Sequence, residues 1–455
     1  MTEPALAAVI GGGPGGLMAA EVLASSGLRV VVFEQMPSVG RKFLVAGRGG
    51  LNLTHSEPQD EFLRRYEWSA SSDGPSLSEA IRDFPPTALR AWSDGLGHET
   101  FVGSSGRVFP KGLRANGLLA SWLERLDDLG VEIRTRTRFL GWDSERLRFH
   151  SDATGEYLFD PAVTVMSLGG ASWPNVGSDG SWQQAVREKG VKIASLSASN
   201  CGFKLSWSTV FGERFEGSPV KNIAVTAQPG DSRRDLGQIS SHGEFMIVNT
   251  GVEGGVVYAV GSRLRSQLDD DGTAELLVDL RPDLGLTTIV ERLQKRRPKE
   301  STSTALKRLV GLDAVKIGLI NEVSRQQLPD HGSPAGRASS DPIDGGPAGN
   351  SGEATVRAGG PPREPHQLAG LIKALPLTLT GSEGLERAIS TAGGIQLSEL
   401  DQNFMLKAIP ATFCAGEMLD WDAPTGGYLL QATFATAVAA ANGALAWIEH
   451  QRGGT

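Results

Sequence analysis

An α/β fold built on a Rossmann-like core is predicted by three features of the chain. An apolar strand runs into a glycine-rich turn and an alanine-rich helix at the N-terminus, a second apolar strand closes on an acidic residue, and a matching strand, glycine pair and helix lie near the C-terminus. The composition permits such a fold. With 455 residues, 40% hydrophobic and 21% charged, the chain has ample material for a core, and at about 150 residues per domain it divides into roughly three. Its 44 Lys and Arg against 52 Asp and Glu give a formal charge of −8, which offers no general attraction to phosphate backbones and sets nucleic acid aside as the main partner. Glycine stands out at 58 copies, many in short clusters between apolar runs where a ligand can approach the backbone.

The first element, Ala5 to Ile10, reads as a buried parallel strand; Gly11-Gly-Gly13-Pro14-Gly15-Gly16 then supplies G-x-G-x-x-G, and Leu17 to Ser25 continues as a helix. Gly11 permits the tight turn, Gly13 leaves room for a pyrophosphate against the backbone, and Gly16 lets helix pack on strand. Phosphates at that helix N-terminus meet free N–H groups and the positive end of the dipole. Leu28 to Phe33 is the second strand, and Glu34 stands at its end, about 20 residues after the glycines, where a carboxylate accepts both ribose hydroxyls of an adenosine. Dinucleotide binding follows.

The next segment, Gly40-Arg41-Lys42-Phe-Leu-Val-Ala46-Gly47-Arg48-Gly-Gly-Leu-Asn52, reads as a glycine-rich loop whose amides and two cations suit a second phosphate or an electron-rich ring. Val163 to Leu168 is an apolar strand closing on Gly169-Gly170. From Gly202 to Val260, short alternating runs such as Asn222 to Thr226 and Glu244 to Val248 indicate a β-rich module. Leu284 to Gln327 has helical spacing, with Ile289, Leu293, Leu306, Val310, Val315, Leu319 and Val323 on the apolar positions. Pro329 to His366 is mainly Pro, Gly, Ser and Asp and is expected to be a disordered surface insertion, because it has too little apolar surface to offset its ordering entropy. At the far end, Ala411 to Ala415 is an apolar strand leading into Gly416-Glu417; Asp420, the Gly426-Gly427 pair and an alanine-rich helix follow. A carboxylate at a strand end, then glycines and a helix N-terminus, suits the polyol chain and ring of FAD, which NAD lacks. No second G-x-G-x-x-G unit is present, so any NAD(P)H would bind transiently near the flavin as electron donor.

Other chemistries find little support. Cys201 and Cys414 are the two cysteines, without a Cys-x-x-Cys, and His98-Glu99 has no second histidine one turn on, so no metal site is expected. The N-terminus lacks the basic start of a signal peptide, and Leu429 to Ile448 contains Gln431, Thr433, Thr436 and Asn442; a cytoplasmic protein without a membrane span is expected. The sequence leaves the oligomeric state open.

Several motifs together resemble the YhiN/BaiN-like flavoproteins, also called aminoacetone oxidase-like FAD-binding enzymes. They are the opening glycine turn, Gly40 to Gly47, Gly106-Arg-Val-Phe-Pro110, Leu168 to Pro174, Ala415 to Asp420 and Thr425 to Gln431. The resemblance implies a Rossmann-like FAD-binding domain of the two-dinucleotide-binding type (1–198 and 388–455). It also implies an inserted β-barrel-like module (199–262 and 367–387) and a small helical cap (263–328), with the insertion at 329–366. It further implies that the pyrophosphate lies on Gly11, Gly13, Gly15 and Gly16, and adenosine ribose on Glu34. Lys42, Ala46 and Asn52 would lie along the ribityl chain and ring, and Glu417, Asp420, Tyr428 and Gln431 would close the flavin site. Pro14, Arg41, Gly169 and Gly416 complete the candidate cofactor residues. Arg48, Asn52 and Tyr428 are the catalytic candidates, Arg48 because a fixed guanidinium can stabilise reduced flavin or a substrate carbonyl. Where many members read Gly-Gly-Gly-Arg-Cys-Asn, this chain reads Gly47-Arg-Gly-Gly-Leu-Asn52, with the arginine two positions earlier and no cysteine. The expected activity is an FAD-dependent oxidoreductase acting on a small or medium organic molecule. Reduction of a conjugated C=C bond is preferred because a separate cap suits a bulkier substrate; amine oxidation by oxygen and a non-catalytic flavin-holding role are the alternatives.

Overall fold

Continuous apolar runs such as Ala7 to Ile10 and Val30 to Phe33 have no polar face to present to water, so they can only form strands covered on both sides. In the computed structural model, which describes residues 4–69, 73–232, 237–326 and 360–453, they form the centre of a five-stranded parallel sheet. Its order is Thr412–Cys414, Val163–Met166, Leu6–Ile10, Arg29–Phe33, Glu132–Arg134. The register sets Val9 beside Val32 on one side and Val165 on the other, and Val165 beside Phe413. The strand from the far end of the chain therefore lies two places from the first. Helix Pro14–Ser25 follows the first strand, and the C-terminal helix Tyr428–Gly453 packs against it. Small side chains at Ala432, Ala435, Ala437, Ala440, Ala441 and Ala444 are buried there and permit the close approach. By length and composition that helix is apolar enough to cross a membrane, and 61% of its most apolar window is buried within the protein.

The chain divides into two compact units, Met1–Cys201 with Glu383–Thr455, and Gly202–Ser382. The first carries the parallel sheet, a three-stranded antiparallel sheet over Thr137–Asp143, Arg146–Ser151 and Gly155–Phe159, and a smaller one of Thr54–His55, Arg107–Pro110 and Thr100–Val102. The second carries a seven-stranded sheet ordered Leu375–Leu379, Ala274–Asp279, Pro219–Ala227, Ile239–Val248, Gly251–Glu253, Phe203–Lys204, Gly381–Ser382. Its two end strands are separated in the chain by Thr380 alone.

The structure changes several expectations. The helices expected to form a cap over 263–328 are not a separate unit: Ile289, Leu293, Val310, Leu319 and Val323 share one hydrophobic cluster with Val225, Ile247 and Leu276 of the sheet. Unit boundaries fall at 201/202 and 382/383, a few residues from those expected. Most of the expected insertion, residues 329–359, lies outside the described residues. Its last two residues instead open the helix Pro365–Lys373, where Glu364 accepts from the N–H groups of His366 and Gln367 and proline takes the first helical position. The segment after Gly40 is likewise not a loop but begins as the helix Arg41–Ala46.

Candidate active site

The glycine turn is built by contacts that exclude a side chain. Gly11 has φ +108°, and a Cβ there would fall 2.2 Å from the Ser167 carbonyl oxygen, so the turn presses on the end of the neighbouring strand. A Cβ on Gly16 would fall 1.8 Å from the Gly11 carbonyl oxygen, which lets the helix lie directly on the turn. At Gly13, which caps the helix, a Cβ would meet nothing within 4 Å. No side chain caps this helix and no acid occupies its first turn, while Pro14 at the start has no N–H to lose. The turn thus presents uncapped backbone donors to open space, as an anionic group requires.

That space is a cavity of about 530 Å³. Gly11, Gly13, Pro14, Gly15, Glu34, Arg41, Lys42, Ala46, Asn52, Gly169 and Glu417 all line it, together with Thr425, Gly426 and Gly427. Glu34 accepts from the Gly12 N–H (2.8 Å) and the Met36 N–H (2.7 Å). Burial raises its carboxyl above the ordinary value, while those N–H groups and the Arg41 charge pull the other way. Lys42 and Glu417 join the two chain ends, with Nζ to Oε2 at 2.6 Å, and Lys42 also donates to Ser172 Oγ at 2.7 Å. Glu417 in turn accepts from the N–H groups of Thr391 (3.0 Å) and Gly170 (3.3 Å). An ammonium has three donors, so Lys42 keeps one for the cavity.

Six of the expected site residues lie elsewhere. Arg48 is exposed beyond the end of its helix and does not line the cavity. Tyr428 turns away from the lining: its hydroxyl donates to Glu57 Oε1 at 2.6 Å, and its ring stacks on His55 at 5.5 Å. A buried phenol needs such a partner, and the carboxylate supplies it. Gln431 is fully buried and donates to the Phe84 carbonyl at 2.6 Å. Gly416 donates to Thr436 Oγ1 and accepts from the Trp421 indole, so it shapes the turn that delivers Glu417 without lining the cavity. Asp420 is held by its backbone N–H on the Ile395 carbonyl, and Gly16 acts through packing alone.

The sequence reading missed Ser167, Trp173, Ser178, Arg107 and Arg138, all of which line the cavity, and Thr391, whose hydroxyl oxygen accepts from the N–H groups of Ala171 and Ser172. Thr391 comes from a strand some 220 residues away in sequence, a juxtaposition that no local motif encodes.

The donor set fits FAD. Arg41 Nε, Asn52 Oδ1 and Ser178 Oγ are buried on the cavity wall without a partner among the described residues. The guanidinium and the hydroxyl can donate to phosphate oxygens and the amide oxygen can accept from a ring N–H, all groups that FAD carries. The HI0933-like protein Rossmann domain profile matches residues 5–443. The chain belongs to this family. The HI0933-like chain is an FAD-dependent oxidoreductase with a Rossmann-like α/β fold. It is 23% identical over 439 residues to a 3-dehydro-bile acid delta(4,6)-reductase of Clostridium scindens, covering 94% of this chain and 96% of the relative. It is 21% identical over 449 residues to a ribosomal RNA dihydrouridine synthase of Escherichia coli, covering 97% and 98%. A solved 3-ketosteroid delta1-dehydrogenase from Sterolibacterium denitrificans covers 98% of this chain and all of its own at 14% identity and a TM-score of 0.45.

Proposed function

We propose that this HI0933-like protein reduces a C=C bond conjugated with a carbonyl in a small or medium organic substrate, with NAD(P)H as transient electron donor. One observation carries the reading. The two full-length relatives, a bile acid reductase and a dihydrouridine synthase, have names describing dissimilar substrates but the same change, addition of two hydrogens across a C=C bond next to a carbonyl. The formal charge of −8 favours the smaller substrate over a polyanionic RNA. We further infer a cytoplasmic protein.

Bound FAD supplies the electron pair at its ring. The chain's own groups bind and orient. The uncapped turn at Gly13 to Gly15 and the Arg41 guanidinium would hold its negative charge, Glu34 would accept hydrogen bonds from its hydroxyl groups, and the remaining Lys42 N–H would favour charge developing beside it. Leu168, Ile389, Leu429 and Leu430 add apolar lining that excludes water. The test is to reduce the flavin anaerobically and offer enones and uridine-containing RNA in turn, and separately to offer small amines to the oxidised flavin in air. Reoxidation by an enone, with the saturated product recovered, supports the reading. Reoxidation by RNA alone, or flavin reduction by an amine with oxygen as acceptor, overturns it.

A further inference from the structure

Ser178 is 6% exposed, and its hydroxyl lies on the cavity wall without a hydrogen-bond partner among the described residues. A buried hydroxyl left unpaired costs folding free energy, so its retention needs a cause outside the fold. The surrounding backbone is tied at both sides. The Gln35 amide donates to the Gly177 carbonyl at 2.8 Å, and the Trp182 indole donates to the Gly169 carbonyl at 2.9 Å. On one side, a Cβ built on Gly177 would lie 3.7 Å from Glu34 Oε1. On the other, a Cβ built on Gly169 would lie 3.3 Å from Ser178 Oγ, and Gly169 follows the Ser167 and Leu168 backbone that abuts Gly11. Ser178 therefore lies between the backbone that abuts the glycine turn and the residue that adjoins Glu34, the carboxylate expected to take the ribose.

We propose that Ser178 is a cofactor-binding residue whose hydroxyl donates to a pyrophosphate oxygen in the adenosine diphosphate half of FAD. The inference rests on the family's cofactor and is independent of the substrate. In the apoprotein the hydroxyl is a liability; with the cofactor bound it gains a charge-assisted partner.

The opposite signs of these two effects make the test sharp. Flavin is stripped from the parent, Ser178→Ala and Ser178→Thr proteins, and each apoprotein is titrated with FAD and with ADP. In the alanine variant both dissociation constants should rise by about tenfold, the size of one hydrogen bond to a charged group. Its apoprotein should melt no lower than the parent, and the threonine variant, which keeps a hydroxyl, should bind close to parent affinity. Unchanged affinities in the alanine variant would overturn the proposal. So would weakened FAD with unchanged ADP, which moves the contact to the flavin half, or an alanine apoprotein that melts several degrees lower, which assigns the hydroxyl to the fold.

Discussion

Glu34 ties the fold together and lines the cavity with the same side chain. Its carboxylate ties the glycine turn to the second strand through the Gly12 and Met36 N–H groups, yet burial holds its carboxyl above the ordinary value, so its charge is a cost until a donor arrives. Glu34→Gln should weaken FAD by about 1.5–3 kcal/mol, the range for hydrogen bonds to a charged group, measured by titration of apoprotein. Glu34 was legible from sequence because it lies at a fixed short distance from the glycines. Arg48 was not, because adjacency to a motif does not set direction. Once residues 41–46 are helical, Lys42, Val45 and Ala46 share the cavity face at helical spacing, and Arg48 lies past the helix end. Arg48→Ala should therefore leave flavin content and turnover close to the parent, read by absorbance and steady-state rate. Ser178 and Thr391 carried no signal at all, since what a serine or threonine does depends on what the chain brings beside it.

At the scale of elements, the strand, turn and helix at the N-terminus were readable because each glycine answers a local steric demand. The demands differ between positions and can be separated. Gly16→Ala puts a methyl into the Gly11 carbonyl and should cost about 3 kcal/mol, the upper end for overpacking, seen in denaturant melts of the apoprotein. Gly13→Ala meets no atom within 4 Å, so it should cost the fold under about 1 kcal/mol as a poorer cap while raising the FAD dissociation constant about tenfold. The helices of residues 286–326 were legible as helices but not as part of the seven-stranded sheet's core. Periodicity shows that a face is apolar and does not say what covers it. The end of the low-complexity segment was drawn too late because the Glu364-Pro365 cap signal was overlooked.

At the scale of the whole molecule, two of the carboxylates that respond to pH, both half-buried, do so with opposite sign. Glu57 lies below its reference value of 4.5: burial pushes it up, but hydrogen bonds from Arg65 and Tyr428 and the Arg65 charge pull it further down. A depressed folded value stabilises the protein above the unfolded pKa, and that contribution disappears as pH falls through the folded value. Glu34, raised on folding, has the reverse sign and is relieved by protonation as pH falls through its raised value. The apoprotein Glu57→Gln should melt below the parent at pH 7 and approach it as pH is lowered beneath 4.5, a convergence read by thermal melts across pH. The parallel sheet carries a different consequence. Its edge strand, Thr412–Cys414, and the helix Tyr428–Gly453 leave the ribosome only after residues 202–382, which are released as one uninterrupted stretch. Until those residues emerge, the N-terminal strands wait with one flank and one face uncovered, and Glu417 has not yet met Lys42. A nascent chain arrested at Pro410 lacks the part of the cavity wall that runs from Glu417 to Thr433 and should not retain flavin. Flavin absorbance should therefore appear only after the strand and helix beyond Pro410 have emerged.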